Sequence, residues 1–378
     1  MKTTKSSTKQ WDKWGTKSYT VMPHVSPASK AIAENYRLRP TDVVVLSFPK
    51  TGTTWTQTVC EQLRTNAEGY EGFDDITERH PWLEFAHDCG QNLDDEIYGM
   101  PTNENPSPIL HPRIFKSHQL LSVINPGAKY LCIVRDPAST LVSWFDFQKA
   151  KGRPGYAEYE DANEYIANRP ELFSGNLIFG TNIWEMYEEV WSARHDPSVK
   201  TLVYEGLLAD AANGYKDHFR VIEEFLGCSN QDRDESETEA FYEKVASLVS
   251  RSEMVKNVDK FDDHFIAEMG EKYGRALRIM EPAPKVREKK QRTELTEATI
   301  EWLEDQWFEK MTPKTGHTNY DEYATALSEL LFEDEEEKTA VVPQEPVRTS
   351  KAMRRKSSLV LEQLPEIRRR RESLAPHE

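Results

Sequence analysis

The sequence predicts an α/β fold, a single domain in which helices flank a central parallel β-sheet. Three short apolar runs, rich in β-branched residues, each lead into a polar turn or directly into a segment with helical spacing of apolar residues. Strands that alternate with helices favour a parallel sheet. The runs are apolar without alternation, which indicates burial on both faces of that sheet.

The first two strand–helix units follow the same plan. The run Val43–Leu46 is followed by a tight loop and by a predicted helix over Thr53–Arg64. The run Tyr130–Val134 enters the polar turn Arg135–Pro137 and then a helix that contains the apolar residues Leu141, Val142 and Trp144. Both segments are therefore predicted to form a strand, a turn and a helix.

The third unit begins with the run Thr201–Tyr204 and continues into a helix-rich segment that reaches Gly227, a residue suited to a helix C-cap. Ligands of parallel α/β sheets bind in the crevice at the carboxyl ends of the strands. The residues that follow the three runs are therefore the first candidates for a functional site.

Composition and charge limit the classes of protein that this chain can be. Its 378 residues are 38% hydrophobic and 30% charged, with a formal net charge of −16. We assign residues 41–330 to one α/β domain, preceded by an irregular lead-in over residues 1–40. A global nucleic-acid binder is not expected, because phosphate backbones select a basic face. A local basic pocket for a small anion stays compatible with this charge.

The cysteines and the apolar segments predict a cytoplasmic protein. Cys60, Cys89, Cys132 and Cys228 are scattered, and no C-x-x-C pair is present. This pattern predicts reduced cysteines in an intracellular protein. The first 15 residues contain no apolar signal region, and no run approaches the about 20 apolar residues of a membrane span. A Golgi-type membrane anchor is therefore not expected either.

The composition changes in the C-terminal tail, residues 331–378. The acidic run Glu333–Glu337 is followed by arginine-rich stretches with few aromatic residues. Residues 338–378 are predicted to be disordered, because they cannot bury enough surface to offset chain entropy. The tail is either solubilising or a kinase target, since basic residues precede Ser357 and Ser373 by three positions.

The loop after the first strand has the chemistry of an anion cradle. Backbone N–H groups at the start of a helix, a glycine, a lysine and several hydroxyls all favour a bound anion. The loop differs from a Walker A sequence, because its lysine precedes the glycine and no lysine follows it. A Walker-type magnesium site is therefore not implied. The predicted anion-binding residues here are Lys50, Thr51, Gly52, Thr53, Thr54 and Trp55.

The segment Pro49–Trp55 closely resembles the Pro-Lys-Ser-Gly-Thr-Thr-Trp loop of the cytosolic sulfotransferases that use 3′-phosphoadenylyl sulfate (PAPS). The resemblance implies a P-loop-like nucleotide-binding architecture in which this loop holds the 5′-phosphosulfate. It also implies PAPS as the sulfuryl donor and no metal. The matching motifs lie within residues 40–315.

The turn after the second strand resembles the family's 3′-phosphate motif, V-R-N-P-x-D-x-x-V-S-Y. In that resemblance Arg135 and Ser143 hold the 3′-phosphate, and Asp136 replaces the usual asparagine. The planar guanidinium of an arginine matches the geometry of phosphate. Taken alone, the turn would be explained equally well by Asp136 capping the following helix.

The segment Lys116–His118 resembles the family's K-T-H segment, in which the histidine is the catalytic base. The resemblance implies that His118 takes the proton of an acceptor hydroxyl, while Lys50 and Lys116 stabilise the departing oxygen. A histidine titrates near neutral pH and suits this task. The alternative is a structural histidine, since the chain contains ten.

Two further segments match the family only in part. Val286–Lys290 keeps Arg287 of the family's R-K-G-x-x-G segment and lacks its glycines, and a solvated basic face would explain it equally well. Tyr204 matches the tyrosine that seats adenosine in the family's Y-E-D segment, with a buried strand tyrosine as the alternative.

The acceptor is predicted to be a small hydrophobic alcohol, sterol or phenol, because residues 81–85 and 144–147 are apolar and aromatic. Two other functions stay open. A small-molecule kinase would require magnesium, and a nucleotide-binding scaffold without turnover would work through its arginine-rich tail. No motif predicts the oligomeric state.

Overall fold

Four parallel strands form the sheet at the centre of the fold. The computed structural model describes residues 11–14, 17, 25–101, 103, 106, 108–170, 182–274, 283–286 and 293–339, the last six as backbone only. The strand order is β2-β1-β3-β4. The strands are β1 (Val43–Ser47), β2 (Ile114–Ser117), β3 (Lys129–Val134) and β4 (Val199–Val203).

Helices connect the strands and continue beyond the last one. In chain order they are α1 (Pro27–Asn35), α2 (Thr53–Arg64), α3 (Ile76–Arg79), α4 (Pro137–Ala150), α5 (Ala162–Asn168), α6 (Ile183–Ala193), α7 (Tyr204–Asp210), α8 (Lys216–Leu226), α9 (Glu235–Leu248), α10 (Arg251–Lys256), α11 (His264–Lys272), α12 (Glu297–Lys310), α13 (Thr312–Thr315) and α14 (Tyr320–Thr339). The chain divides into two units, residues 1–332 and 333–378, and the sheet belongs to the first.

The register aligns the carboxyl ends of all four strands at one edge. Leu46 of β1 lies opposite Ser117 of β2, and Ser47 lies opposite Ile133 of β3. Val134 of β3 then pairs with Val203 of β4. Loops that leave these ends therefore meet on one side of the molecule.

Both faces of the sheet are buried, as the apolar runs predicted. Successive strand side chains point to opposite faces. In β1, Val44 and Leu46 belong to one core, while Val43 and Val45 belong to the other. None of the four side chains is exposed. The sheet is thus a middle layer between two helical layers.

The predicted elements agree with the structure, with two differences. The third strand starts and ends earlier than predicted, so Tyr204 begins α7 and is not a strand residue; Glu205 in the first turn favours this helix start. Within the segment expected to be irregular, α1 forms because Ser26 caps it and Pro27 occupies its first turn. Gly227 caps α8 with φ of 77°, as predicted.

The four cysteines are free thiols. Among the helices of the described ranges, none combines the length and the apolarity that crossing a bilayer would require.

Candidate active site

The predicted site residues lie at the carboxyl ends of neighbouring strands. His118 follows β2, Lys50 lies in the loop after β1, Arg135 follows β3 and Tyr204 follows β4. The strand order therefore arranges them as His118, Lys50, Arg135 and Tyr204 along the edge. Four strands at a spacing of roughly 4.8 Å span about 15 Å, a length suited to a nucleotide with its reacting group.

The loop between β1 and α2 is a preformed turn. Lys50 and Gly52 both have positive φ, 71° and 119°. Gly52 stands at the N-cap and has no side chain to cap α2, so the first N–H groups of the helix remain suited to an anion. The hydroxyl of Thr51 donates to the carbonyl of Phe48 at 2.7 Å, which closes the turn.

The remaining predicted residues of this loop hold α2 in place. Thr53 shares a hydrogen bond of 2.6 Å with the hydroxyl of Ser47. The backbone carbonyl of Thr54 accepts from Thr58 one turn later. The indole N–H of Trp55 donates to the carbonyl of Val249 at 3.1 Å, so this ring anchors α2 to the end of α9.

Tyr204 packs against both Gly52 and Arg135. A Cβ atom on Gly52 would lie 2.8 Å from Cδ2 of the tyrosine ring, so only glycine permits this approach. The guanidinium carbon of Arg135 lies 4.6 Å from the centre of the same ring. The loop after β1 and the turn after β3 are therefore joined through one aromatic ring.

Arg135 is oriented by contacts on its side chain and its backbone. Its Nη1 donates to the carbonyl of Lys50 at 2.9 Å. Its N–H donates to the Tyr187 hydroxyl at 2.9 Å, and that hydroxyl donates to the Arg135 carbonyl at 2.5 Å. Asp136 caps α4 by accepting from two backbone N–H groups, and Ser143 lies half-buried on the second turn of that helix.

Glu205 fixes the turn after β3 from the other side. One carboxylate oxygen accepts from the N–H of Asp136 at 3.0 Å, and the other accepts from the Tyr320 hydroxyl at 2.8 Å. Sequence reasoning missed Tyr187 and Tyr320. Their partners are far away in the chain, and neither tyrosine belongs to a local motif.

The ring of His118 is held in one tautomer. Its Nδ1 lies 2.7 Å from the carbonyl oxygen of Ser47. A carbonyl only accepts, so Nδ1 carries the proton and the neutral ring offers its lone pair at Nε2. Burial, followed by the charge of Lys116, holds the pKa of His118 well below its ordinary value. The histidine is therefore neutral at pH 7, as a general base must be.

Both predicted lysines lie against aromatic rings. Nζ of Lys116 is 3.7 Å from the centre of the Trp82 ring, and the same ring stands nearly perpendicular to the His118 ring, with ring centres 5.2 Å apart. Nζ of Lys50 is 4.1 Å from the centre of Phe147. Burial and the charge of Lys285 lower the pKa of Lys116 to about 7. Residues of both predicted aromatic segments thus contact the cations of the site.

Glu84 is a site residue that sequence reasoning did not find. One of its oxygens accepts from the Ser117 hydroxyl at 2.5 Å and from the N–H of His118 at 3.3 Å. The side chain is buried, and that burial raises the pKa of Glu84 to about 7. The carboxyl group thereby clamps the turn that carries the histidine.

One cluster has the donor atoms of a metal site. Ligand atoms of Asp75, Asp262 and His264 lie within 4.8 Å of one another. Nδ1 of His264 is 2.7 Å from Asp262 and 3.6 Å from Asp75, and Asp262 in particular raises the pKa of this histidine against the effect of burial. A hydrogen bond between Nδ1 of His264 and Asp262 accounts for this geometry. The prediction that the protein needs no metal stays a prediction.

Two predicted features lie outside the described residues. Arg287 is one of them, and almost all of the C-terminal tail, with Ser357 and Ser373, is the other.

Comparisons with known proteins agree with the motifs. Residues 40–313, well over half of the chain, match the sulfotransferase domain family. Cytosolic sulfotransferase 16 of Arabidopsis thaliana is 26% identical over 232 residues, which are 60% of this chain and 64%, a little under two thirds, of that protein. Human sulfotransferase 1C2 is 23% identical over 237 residues, 60% of this chain and 73% of the relative.

Similar solved structures include retinol dehydratase in complex with androsterone and inactive cofactor PAP, with 20% identity, a TM-score of 0.48 and coverage of 77% of this chain and 89% of that one. Mouse sulfotransferase SULT7A1 complexed with PAP has 18% identity, a TM-score of 0.48 and coverage of 83% and 98%. The family match alone decides the assignment. The chain belongs to the sulfotransferase domain family. The predicted family is confirmed.

Proposed function

We propose that this protein transfers the sulfuryl group of PAPS to the hydroxyl of a small hydrophobic acceptor, with His118 as the general base. The observation that carries the proposal is the hydrogen bond between Nδ1 of His118 and the Ser47 carbonyl. It leaves the basic nitrogen at Nε2 and keeps the ring beside Lys116 and Trp82. General-base catalysis of this kind contributes about 10²- to 10⁴-fold.

The reaction requires two things of these residues: removal of the acceptor proton and stabilisation of the negative charge on the leaving oxygen. His118 takes the acceptor proton at Nε2 as the acceptor oxygen bonds to sulfur. The bond between sulfur and the bridging phosphate oxygen breaks, and its electron pair stays on that oxygen, giving adenosine 3′,5′-bisphosphate (PAP). Lys50 and Lys116 stabilise the negative charge that develops there.

The donor is held along the carboxyl edge of the sheet. The loop Lys50–Trp55 binds the 5′-phosphosulfate through N–H groups at the start of α2. Arg135 and Ser143 bind the 3′-phosphate, and Tyr204 supports the adenosine. Contact of the tyrosine ring with Gly52 and Arg135 supports this arrangement. Arg287 completes the set by resemblance to the family.

The acceptor lies between aromatic side chains. Trp82 faces His118, and Phe147 lies beside Lys50. Aromatic rings beside His118 and beside Lys50 favour a hydrophobic alcohol, a sterol or a phenol. We further propose a cytoplasmic location and a catalytic domain over residues 41–330, in keeping with the cytosolic relative.

The purified protein is tested with PAPS and a panel of sterols, phenols and aliphatic alcohols without added metal. Sulfated product, identified by mass spectrometry, supports the proposal and gives the acceptor type. Phosphorylated product from ATP and Mg²⁺ would support the kinase alternative. PAPS binding without any product would support a nucleotide-binding scaffold, and absence of PAPS binding would overturn the proposal.

A further inference from the structure

A third lysine, Lys285, lies near Lys116 and directly precedes the partly matching segment Val286–Lys290. The start of α11 packs against the wall of the site, where Phe265 and Ile266 contact the group of side chains that contains Trp82. The same tryptophan ring carries Lys116 at 3.7 Å. The residue before α11, Asp263, is therefore brought to the side of the site where Lys116 lies.

Asp263 is buried and pairs with Lys285. Its φ of 65° places it in the left-handed region, which aspartate and asparagine tolerate better than most residues. Its carboxylate forms an ion pair with Nζ of Lys285, whose side chain is 10% exposed. The N–H of Ala283 donates to the carbonyl of Asp262 at 3.0 Å, which ties the lysine segment to this turn.

Packing fixes the other end of the lysine segment. Val286 contacts the buried group that includes Phe73 and Phe261. Lys285 is therefore held from both sides, at Ala283 and at Val286, and its ammonium group is directed toward Asp263. A lysine on a surface loop has none of these restraints.

The charges around this ion pair favour an additional anion. After burial, Lys285 is the largest influence on the pKa of Lys116, and it also acts on His118. Asp263 lies within range of both lysines. Asp75 and Glu84 also face Lys116, and burial raises the pKa of each carboxyl. Lys285 and Lys116 thus repel each other although Asp263 lies beside both, and an anion that contacts both ammonium groups would relieve this repulsion.

We propose that Lys285 binds the sulfuryl oxygens of PAPS together with Lys116, and that Asp263 holds it in position for this contact. The inference rests on the proposed function. The inference predicts different effects on the two ligands PAPS and PAP, because PAP lacks the sulfuryl group and keeps both phosphates. Lys285 should therefore contribute to the affinity for PAPS and not to the affinity for PAP.

The test compares the dissociation constants of PAPS and PAP, measured calorimetrically without acceptor, for the wild type, Lys285→Met and Lys285→Arg. Methionine keeps most of the apolar stem and removes the charge. We expect Lys285→Met to weaken PAPS binding roughly 10- to 100-fold, the factor for one charge-assisted hydrogen bond, with PAP unchanged within about twofold. Lys285→Arg should recover most of the loss. Arg135→Met is the comparator that should weaken both ligands.

Two outcomes would overturn the inference: equal weakening of PAPS and PAP binding by Lys285→Met, or unchanged PAPS binding. If Lys285→Met fails to fold because Asp263 is left unpaired, the double variant Asp263→Asn/Lys285→Met removes both charges and is judged by the same criteria. A wild type that binds PAP but forms no product would contradict the proposed function and leave the comparison of the two ligands intact.

Discussion

Substitution of Gly52 by alanine should disrupt the contact between the anion loop and Tyr204. A Cβ atom there would lie 2.8 Å from Cδ2 and 3.2 Å from Cε2 of the tyrosine ring, at a φ of 119°. Backbone strain at positive φ costs about 1–2 kcal/mol, and overpacking of a buried contact adds about 1–3 kcal/mol. We expect the free energy of unfolding to fall by roughly 2–5 kcal/mol, unless the ring moves away.

Gly152→Ala is the matched control. Its φ of 61° is also positive, but no atom lies within 4 Å of a Cβ placed there, so only backbone strain of about 1–2 kcal/mol applies. Urea denaturation measures both variants, and PAP binding shows whether a displaced Tyr204 weakens the donor site. Equal losses of stability in the two variants, with PAP binding unchanged, would refute the predicted contact.

The other predictions concern the pH profile and two buried partners. Because burial holds the pKa of His118 well below its ordinary value, kcat/KM should begin to fall on the acidic side only well below the usual imidazole pKa of about 6.5. It should fall again above about pH 7, where Lys116 loses its proton; a rate that rises steadily to pH 10 would contradict this. Glu84→Gln should lower kcat several-fold with little change in the KM of PAPS, since it perturbs the turn that carries His118; a change confined to KM would argue against that role. Tyr187→Phe leaves the N–H and C=O of Arg135 without their partner and should cost about 2 kcal/mol in urea denaturation; unchanged stability would show that these bonds are replaced.

The strand ends of the site could be predicted because their residues are local in the chain. Lys50 and Gly52 lie in the loop after β1, and Arg135 follows β3. The residues that give each turn its chemistry lie within a few positions of one another in the sequence. Parallel strand order then brings these ends together, since every strand points to the same edge. The continuous apolar run of β1, without polar alternation, likewise predicts burial on both faces from sequence alone.

The supporting partners could not be predicted, because they are joined only by the fold. Glu84 contacts His118, which lies 34 positions later in the sequence. Tyr187 contacts Arg135, which lies 52 positions earlier. Lys285 pairs with Asp263 across 22 positions. None of these pairs has a characteristic spacing. The prediction that Tyr204 belongs to a strand was wrong, because an apolar run does not show at which residue the strand ends and the helix begins.

The role of His118 as the general base is tested by the single-turnover rate of sulfuryl transfer from PAPS in His118→Ala, compared with His195→Ala. His195 is exposed, so its variant controls for the loss of an imidazole elsewhere. We expect a rate lower by about 10²- to 10⁴-fold in His118→Ala, with PAP affinity retained and with His195→Ala equal to the wild type. A His118→Ala enzyme that transfers sulfuryl at the wild-type rate would contradict the assignment of the base.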